Sequence, residues 1–273
     1  TSPWDPDKNF QDICDGIDGF PQDFEYISVI AGSPMDAEKG LICEPSNLPG
    51  WHDFPLINKL KEKYHVPSNL LNDADASALA EWKFGVGKSY KDFIYVTVGT
   101  GLGSGLILNG KLYSGISYNA GEIGHVKVAD EGYMPRNKKP GSAEGFVSGG
   151  GVGDLGTLLG KHNKDSALHN YEKVSARVVF DEARKGDELA LQIVDQCATK
   201  LGESVAILID LLNPECIAIG GIYPRCQDLL EKKVLEVIKE KSLKINFEAC
   251  KILPSELAEK IDDYSSLMNY WNK

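Results

Sequence analysis

The chain has 273 residues, 42% of them hydrophobic and 25% charged, with a formal net charge of −11 and a pI near 5.0. Those proportions fit a globular protein of one large domain or two modest ones. The acidic balance excludes a nucleic-acid surface, which needs clustered Lys and Arg. Six cysteines at 14, 43, 197, 216, 226 and 250 form no C-x-x-C pair and stand apart from His, so neither a zinc site nor a disulfide framework is indicated. No apolar run approaches the length of a membrane span and no signal peptide is evident, so a reduced, cytoplasmic protein is expected. The chain begins at Thr1 rather than Met.

In chain order, Phe10, Ile13, Cys14 and Ile17 recur at helical spacing within residues 1–20. Residues 24–30 predict a strand broken by Ala31-Gly32-Ser33-Pro34, and 35–42 a turn into a short strand. Residues 45–51 are an irregular loop and 54–64 a helix. Residues 66–71 form a short strand with Pro67 near its start, where proline is tolerated. An Ala-rich helix follows through about residue 84, with Asn72 or Asp73 as N-cap. Capping explains one of these two polar residues; it does not require both.

Residues 92–128 organise the rest. Phe93-Ile94-Tyr95-Val96-Thr97-Val98 is a β-branched, aromatic, uncharged strand, followed by Gly99-Thr100-Gly101-Leu102-Gly103-Ser104-Gly105. A dinucleotide-binding reading of these glycines needs a helix directly after them. A second apolar run and Asn109-Gly110 follow instead, the mark of a tight hairpin. A glycine turn between strands can hold phosphate through consecutive backbone N–H groups, with the Thr100 hydroxyl as a further donor; it can equally be a bulge that bends a sheet. Glu122 and His125 come next.

Residues 129–142 read as a loop, Glu144 opens a further element, and residues 148–153 read as flexible, with 152–170 uninformative. Residues 175–185 and 187–212 are helices, the second long enough to offer a dimer face as well as a core. Residues 216–219 form a buried strand ended by Gly220-Gly221. Residues 229–239 predict a helix, 245–253 a strand region and 256–271 a final helical stretch. Strands dominate the first half and helices the second, giving an α/β protein of α+β lobes.

Five segments together resemble the repressor/open-reading-frame/kinase (ROK) family of sugar kinases and sugar-responsive repressors: Asn47-Leu48-Pro49-Gly50-Trp51, Leu71-Asn72-Asp73-Ala74, Gly99 to Gly105, Ala120-Gly121-Glu122-Ile123-Gly124-His125, and Ile217-Ala218-Ile219-Gly220-Gly221. The resemblance implies an actin/hexokinase-like, ribonuclease H-like fold of two lobes and a cleft, here 1–88 and 89–273. It implies glucokinase-like phosphorylation of a hexose by ATP with Mg2+, Asp73 being the general base. Asn47, Asn72, Glu122, His125 and Glu144 would bind the sugar, and Gly99, Thr100, Gly101, Gly103, Gly220 and Gly221 the nucleotide. A homodimer is the expected assembly.

Two departures stand out. Many relatives carry three zinc-binding cysteines after the His; Pro135, Asn137 and Ser142 occupy those positions here, so no structural zinc and no other metal ligand is expected. The family's first phosphate loop, Asp-x-Gly-Gly-Thr, is not found in residues 1–24. That leaves open a non-catalytic sugar-sensing protein of the same fold, or a fragment lacking that loop.

Overall fold

The computed structural model of the chain describes residues 4–21, 23–45, 48–132 and 139–271. Its first third runs α1 (Pro6–Asp18), β1 (Ile27–Ala31), β2 (Met35–Asp36), β3 (Leu41–Ile42), α2 (Leu56–Tyr64), β4 (Ser68–Asn72) and α3 (Asp73–Phe84). Asp5 caps α1 by accepting from the Lys8 N–H at 2.9 Å, and Pro6 opens it. β1 pairs in parallel with β4, and β2 with β3 as a hairpin. Met35, Ile42, Trp51, Phe54, Leu60 and Leu70 form their core.

A second sheet has the order β7-β6-β5-β8-β9, from β5 (Phe93–Val98), β6 (Leu102–Leu108), β7 (Lys111–Leu112), β8 (Cys216–Gly221) and β9 (Lys251–Pro254). β5 is antiparallel to β6 and parallel to β8. Its three central strands, β6, β5 and β8, are uncharged because both faces are covered. Ile94, Val96, Val98, Ile217 and Ile219 point into one core; Phe93, Tyr95, Cys216 and Ala218 point into the other, beneath α3. The first core is roofed by α4 (Ala143–Val147), α5 (Gly149–Gly160), α6 (Ala176–Arg184), α7 (Glu188–Leu212) and α8 (Gln227–Lys241). Asp187 caps α7, and Asn213 ends it in the left-handed region at φ 44°.

Three expectations change. The glycine run at 148–153 is not a flexible link, and 152–170 is not without order: Ser148 accepts from the Gly151 N–H at 3.0 Å and starts α5. Propensity disfavours a glycine-rich helix, but this one lies where side chains do not fit. A Cβ on Gly153 would stand 2.9 Å from the Val174 carbonyl oxygen, and one on Gly156 2.8 Å from the Val174 and Val179 methyls. Tertiary packing outweighs the local preference.

Residues 245–253 do not form one strand. α9 (Lys244–Ala249) precedes β9 because Asp210 accepts from the Leu243 N–H and the Asn246 amide. The final stretch is also interrupted, into α10 (Ile261–Ser265) and α11 (Met268–Trp271), with Ala258 at φ 46° ahead of them.

The last residues return to the first sheet. Asn269 donates to the carbonyls of Val29 and Asn69, one on each of β1 and β4. Before them, residues 255–257 are anchored by Glu81, a fully buried carboxylate on α3. It accepts from the Ser255 hydroxyl at 2.8 Å and from the Glu256 N–H at 2.7 Å.

α3 lies directly on β6. A Cβ on Gly105 would stand 2.4 Å from the Ala74 carbonyl oxygen and 2.5 Å from the Ala78 Cβ. Both obstacles belong to a packed helix and cannot swing aside. Gly105→Ala is therefore expected to destabilise the fold by about 1–3 kcal/mol, read as a lowered urea midpoint at unchanged m-value. A midpoint equal to that of the unmodified chain would show that α3 is not held against β6.

Candidate active site

β4 passes into α3 without a loop, and the junction is made by Asn72. Its Oδ1 accepts from the N–H groups of Ala74 at 2.9 Å and Asp75 at 3.1 Å, and its amide donates to Ser33 Oγ at 2.7 Å. Of the two capping candidates, Asn72 is the cap. Asp73 is thereby free to project from the first helical position. Its Oδ1 accepts the neighbouring Ala74 N–H, at 2.8 Å.

Asp73 faces a cleft of about 1240 Å³ lined also by Ser77, Tyr95, Thr97, Gly99, Gly221, Arg225, residues 256–262 and Tyr264. It touches solvent and yet has protein around it on most sides, as the wall of a cleft does. That enclosure raises its pKa above the ordinary carboxylate value. The Ala74 N–H opposes the rise, and the carboxylates of Glu122 and Asp262 reinforce it.

The glycine run divides in two. Only Gly99, Thr100 and Gly101 form the turn; Gly103 and Gly105 lie within β6, where Gly103 meets Ala74 and lets α3 approach. The turn is fixed from behind: the Gly99 and Thr100 carbonyls accept from the N–H groups of Gly149 and Gly150 at the start of α5. Glu144 accepts from the Leu102 N–H at 3.3 Å, and a Cβ on Gly101 would stand 2.9 Å from its Oε2. Among the described residues, the N–H groups of Thr100 and Gly101 have no protein acceptor. Two consecutive free donors on a rigid turn make an anion cradle.

Gly99 and Gly221 also line a second cavity of about 570 Å³, walled by Val98, Val174, Ala176 and Ile222, with Lys173 and Asp154. Gly221 has φ 71°, and a Cβ there would stand 2.2 Å from the Val98 carbonyl oxygen. Gly220 is buried and is not among the residues lining either cavity; a Cβ on it would collide with the Tyr95 ring.

Glu122 and His125 sit on a short turn laid against β6, where the Gly121 carbonyl accepts from the Ser104 N–H and hydroxyl. The His125 Nε2 is 3.8 Å from Glu122 Oε2, both side chains being about one third exposed. Glu122 in turn acts electrostatically on Asp73. Asp73 and Gly99 thus line the same cleft, while Glu122 and His125 are not among its lining residues and Glu122 reaches Asp73 through its charge. Asn47 lies outside the described residues.

Several cavity-lining residues carry no motif in the sequence: Gly149, Gly150, Val174, Ala176 and Arg225. A Ser cap ahead of Val152 and Leu155 at helical spacing was a usable sign for the first two; Arg225 offered none.

Asp75 was also unmarked. It is 2% exposed, and its Oδ2 accepts from Ser114 Oγ at 2.8 Å. Its Oδ1 has no hydrogen-bond partner. Burial pushes its pKa up to about 7; Ser114 opposes the rise, and Asp73 and Glu122 add to it.

A family model described as "ROK family" matches residues 8–262. A glucokinase of Halalkalibacterium halodurans is 37% identical over 217 residues, covering 77% of this chain and 66% of that protein. A xylose repressor of Caldicellulosiruptor bescii is 29% identical over 83% of this chain and 57% of its own length. The crystal structure of a ROK hexokinase from Thermus thermophilus superposes with a TM-score of 0.77 at 26% identity, covering 91% of this chain and 80% of that one. The chain thus spans about two thirds of the glucokinase and somewhat over half of the repressor.

The Asp75 environment has a measurable sign. Its folded-state pKa lies above its unfolded one, so the folded chain keeps a proton that the unfolded chain releases. Stability is then highest below about pH 4, falls as pH rises towards about 7 and is level above that, by an amount on the order of 2–4 kcal/mol. Asp75→Asn should remove that part of the slope and be the more stable protein at pH 7.5. Equal slopes for both chains in urea melts between pH 4.5 and 7.5 would contradict the buried proton.

Proposed function

Because this chain belongs to the ROK family, with the fold of its two-lobed kinases, we propose that it transfers the γ-phosphoryl group of ATP to a hydroxyl of a hexose. The observation that supports this reading best is one cleft lined both by Asp73, a carboxylate with a raised pKa, and by Gly99, which opens a turn whose next two N–H groups have no protein acceptor among the described residues, Thr100 lining the adjoining cavity. Glucose is the substrate to test first, since the H. halodurans relative bears the name glucokinase.

In this reading the sugar lies between Asp73, Glu122, His125 and Asn72. Vicinal hydroxyls donate and accept at once, which suits a carboxylate beside an imidazole. Asp73 accepts the proton of the attacking hydroxyl as that oxygen bonds to the γ-phosphorus and the bond to the departing ADP breaks. A base with a raised pKa holds the transferred proton more firmly, provided enough of it remains ionised. Glu144 acts from behind, by holding the turn at Leu102.

The N–H groups of Thr100 and Gly101 receive phosphate oxygens, and Gly99 must stay small for that approach. The nucleoside fits the cavity of about 570 Å³ beyond, against Val98, Val174, Ala176 and Ile222. Among the described residues no group of three His, Cys, Asp or Glu side chains is placed to hold a metal unaided. Mg2+ is therefore expected to enter on the nucleotide phosphates, where it neutralises charge.

The xylose repressor relative keeps a sugar-sensing reading in play. A coupled ADP-release assay over a hexose panel separates the two: no turnover with any hexose, alongside sugar-dependent thermal stabilisation, favours the sensor. Asp73→Asn should lower kcat by about 10²- to 10⁴-fold and leave the sugar-dependent rise in Tm within about a degree. Turnover retained at the unmodified rate would remove Asp73 from the role of base.

A further inference from the structure

The cleft carries an excess of negative charge. Asp73, Glu256, Glu259 and Asp262 line it, against the two cations Lys260 and Arg225. The neighbouring cavity adds Asp154 and Lys173. A nucleoside triphosphate brings several more negative charges into this space, and its phosphates must cross from one cavity to the other. Among the described residues, Arg225 is the one cation that lines both.

Its placement is specific. Arg225 ends a short turn, Tyr223–Arg225, immediately beyond Gly221. The turn is rigid: Tyr223 is 1% exposed, the Arg225 N–H donates to the Ile222 carbonyl at 3.1 Å, and the Arg225 carbonyl accepts from Arg184 at 3.0 Å. The Arg225 side chain is 65% exposed, and its Nε stands 3.4 Å from Glu259 Oε1. An exposed ion pair of this length contributes little and exchanges readily. A guanidinium fork, by contrast, matches a phosphate with two parallel hydrogen bonds. Glu259 comes from the segment that Glu81 ties to α3, so the pair joins the two banks of the cleft.

We propose that Arg225 is a donor-binding residue of this site: it exchanges Glu259 for the phosphate chain of the incoming nucleotide and carries that chain past the cleft's carboxylates. Glu259 holds the fork at the mouth while the site is empty. This rests on the kinase reading above, and the test separates the two.

Arg225→Ala, Arg225→Lys and Glu259→Gln are compared with the unmodified chain, by KM for ATP and for the hexose and by titration calorimetry with MgADP. Arg225→Ala should raise KM for ATP and the Kd of MgADP by about 10- to 100-fold, the loss of charge-assisted hydrogen bonds. KM for the hexose should stay within about twofold, and Arg225→Lys should recover only part of the nucleotide affinity because it lacks the fork. Glu259→Gln should bind MgADP at least as tightly as the unmodified chain, its competitor having lost its charge. Nucleotide affinity within twofold of the unmodified chain for Arg225→Ala, at unchanged Tm, would overturn the role of Arg225 alone. An equal rise in both KM values would also overturn it, by pointing to general distortion. An unmodified chain that binds no nucleotide would overturn the kinase reading and Arg225's part in it together.

Discussion

The site depends on a contact that involves no polar side chain: α3 resting on β6 with nothing larger than alanine methyls between them. Gly103 and Gly105 provide the missing volume, and Ala74 and Ala78 fill it. Because β6 leaves the glycine turn and α3 begins with Asp73, one backbone-to-backbone contact sets the distance between carboxylate and cradle. A contact of that kind is stiff, since neither partner has a rotamer to change. The small residues of the motif therefore divide their work, Gly99 and Thr100 lining the cavities and those at 103 and 105 serving the helix.

On this base the chain builds an electrostatic imbalance. Glu122 acts on both Asp73 and Asp75, Asp73 acts on Asp75, and Asp262 acts on Asp73. Isolated in a core such a group would be costly. Here two features relieve it: burial favours the protonated form of Asp75 up to about pH 7, and Asp73 lines the cleft while Glu122 keeps partial exposure.

Much of this was readable from residues alone. β5, β6 and the hairpin from β6 into β7 followed from an uncharged β-branched run and an Asn-Gly turn. The cap-and-helix at 72–84 followed from Asn72 and a run of alanines. What escaped was whatever long-range packing decides. The helix at 149–160 contradicts the propensity of its glycines because their reason for being there, the backbone of residues 174–176, is distant in sequence. Residues 244–249 turn helical because Asp210, on α7, caps them. Arg225 and Asp75 acquire meaning only from what surrounds them in space. Single residues report local conformation well, and cavities and buried charges poorly.

The anchoring of residues 255–257 by Glu81 joins positions 174 residues apart. Closing so long a loop demands that the five strands between those points already be in order. The far bank of the cleft is therefore a late arrival in folding and an early departure in unfolding. Partly denatured chains would keep their central sheet while losing the wall opposite Asp73. Ligand capture in such a protein measures the integrity of its most distant tie rather than of its core.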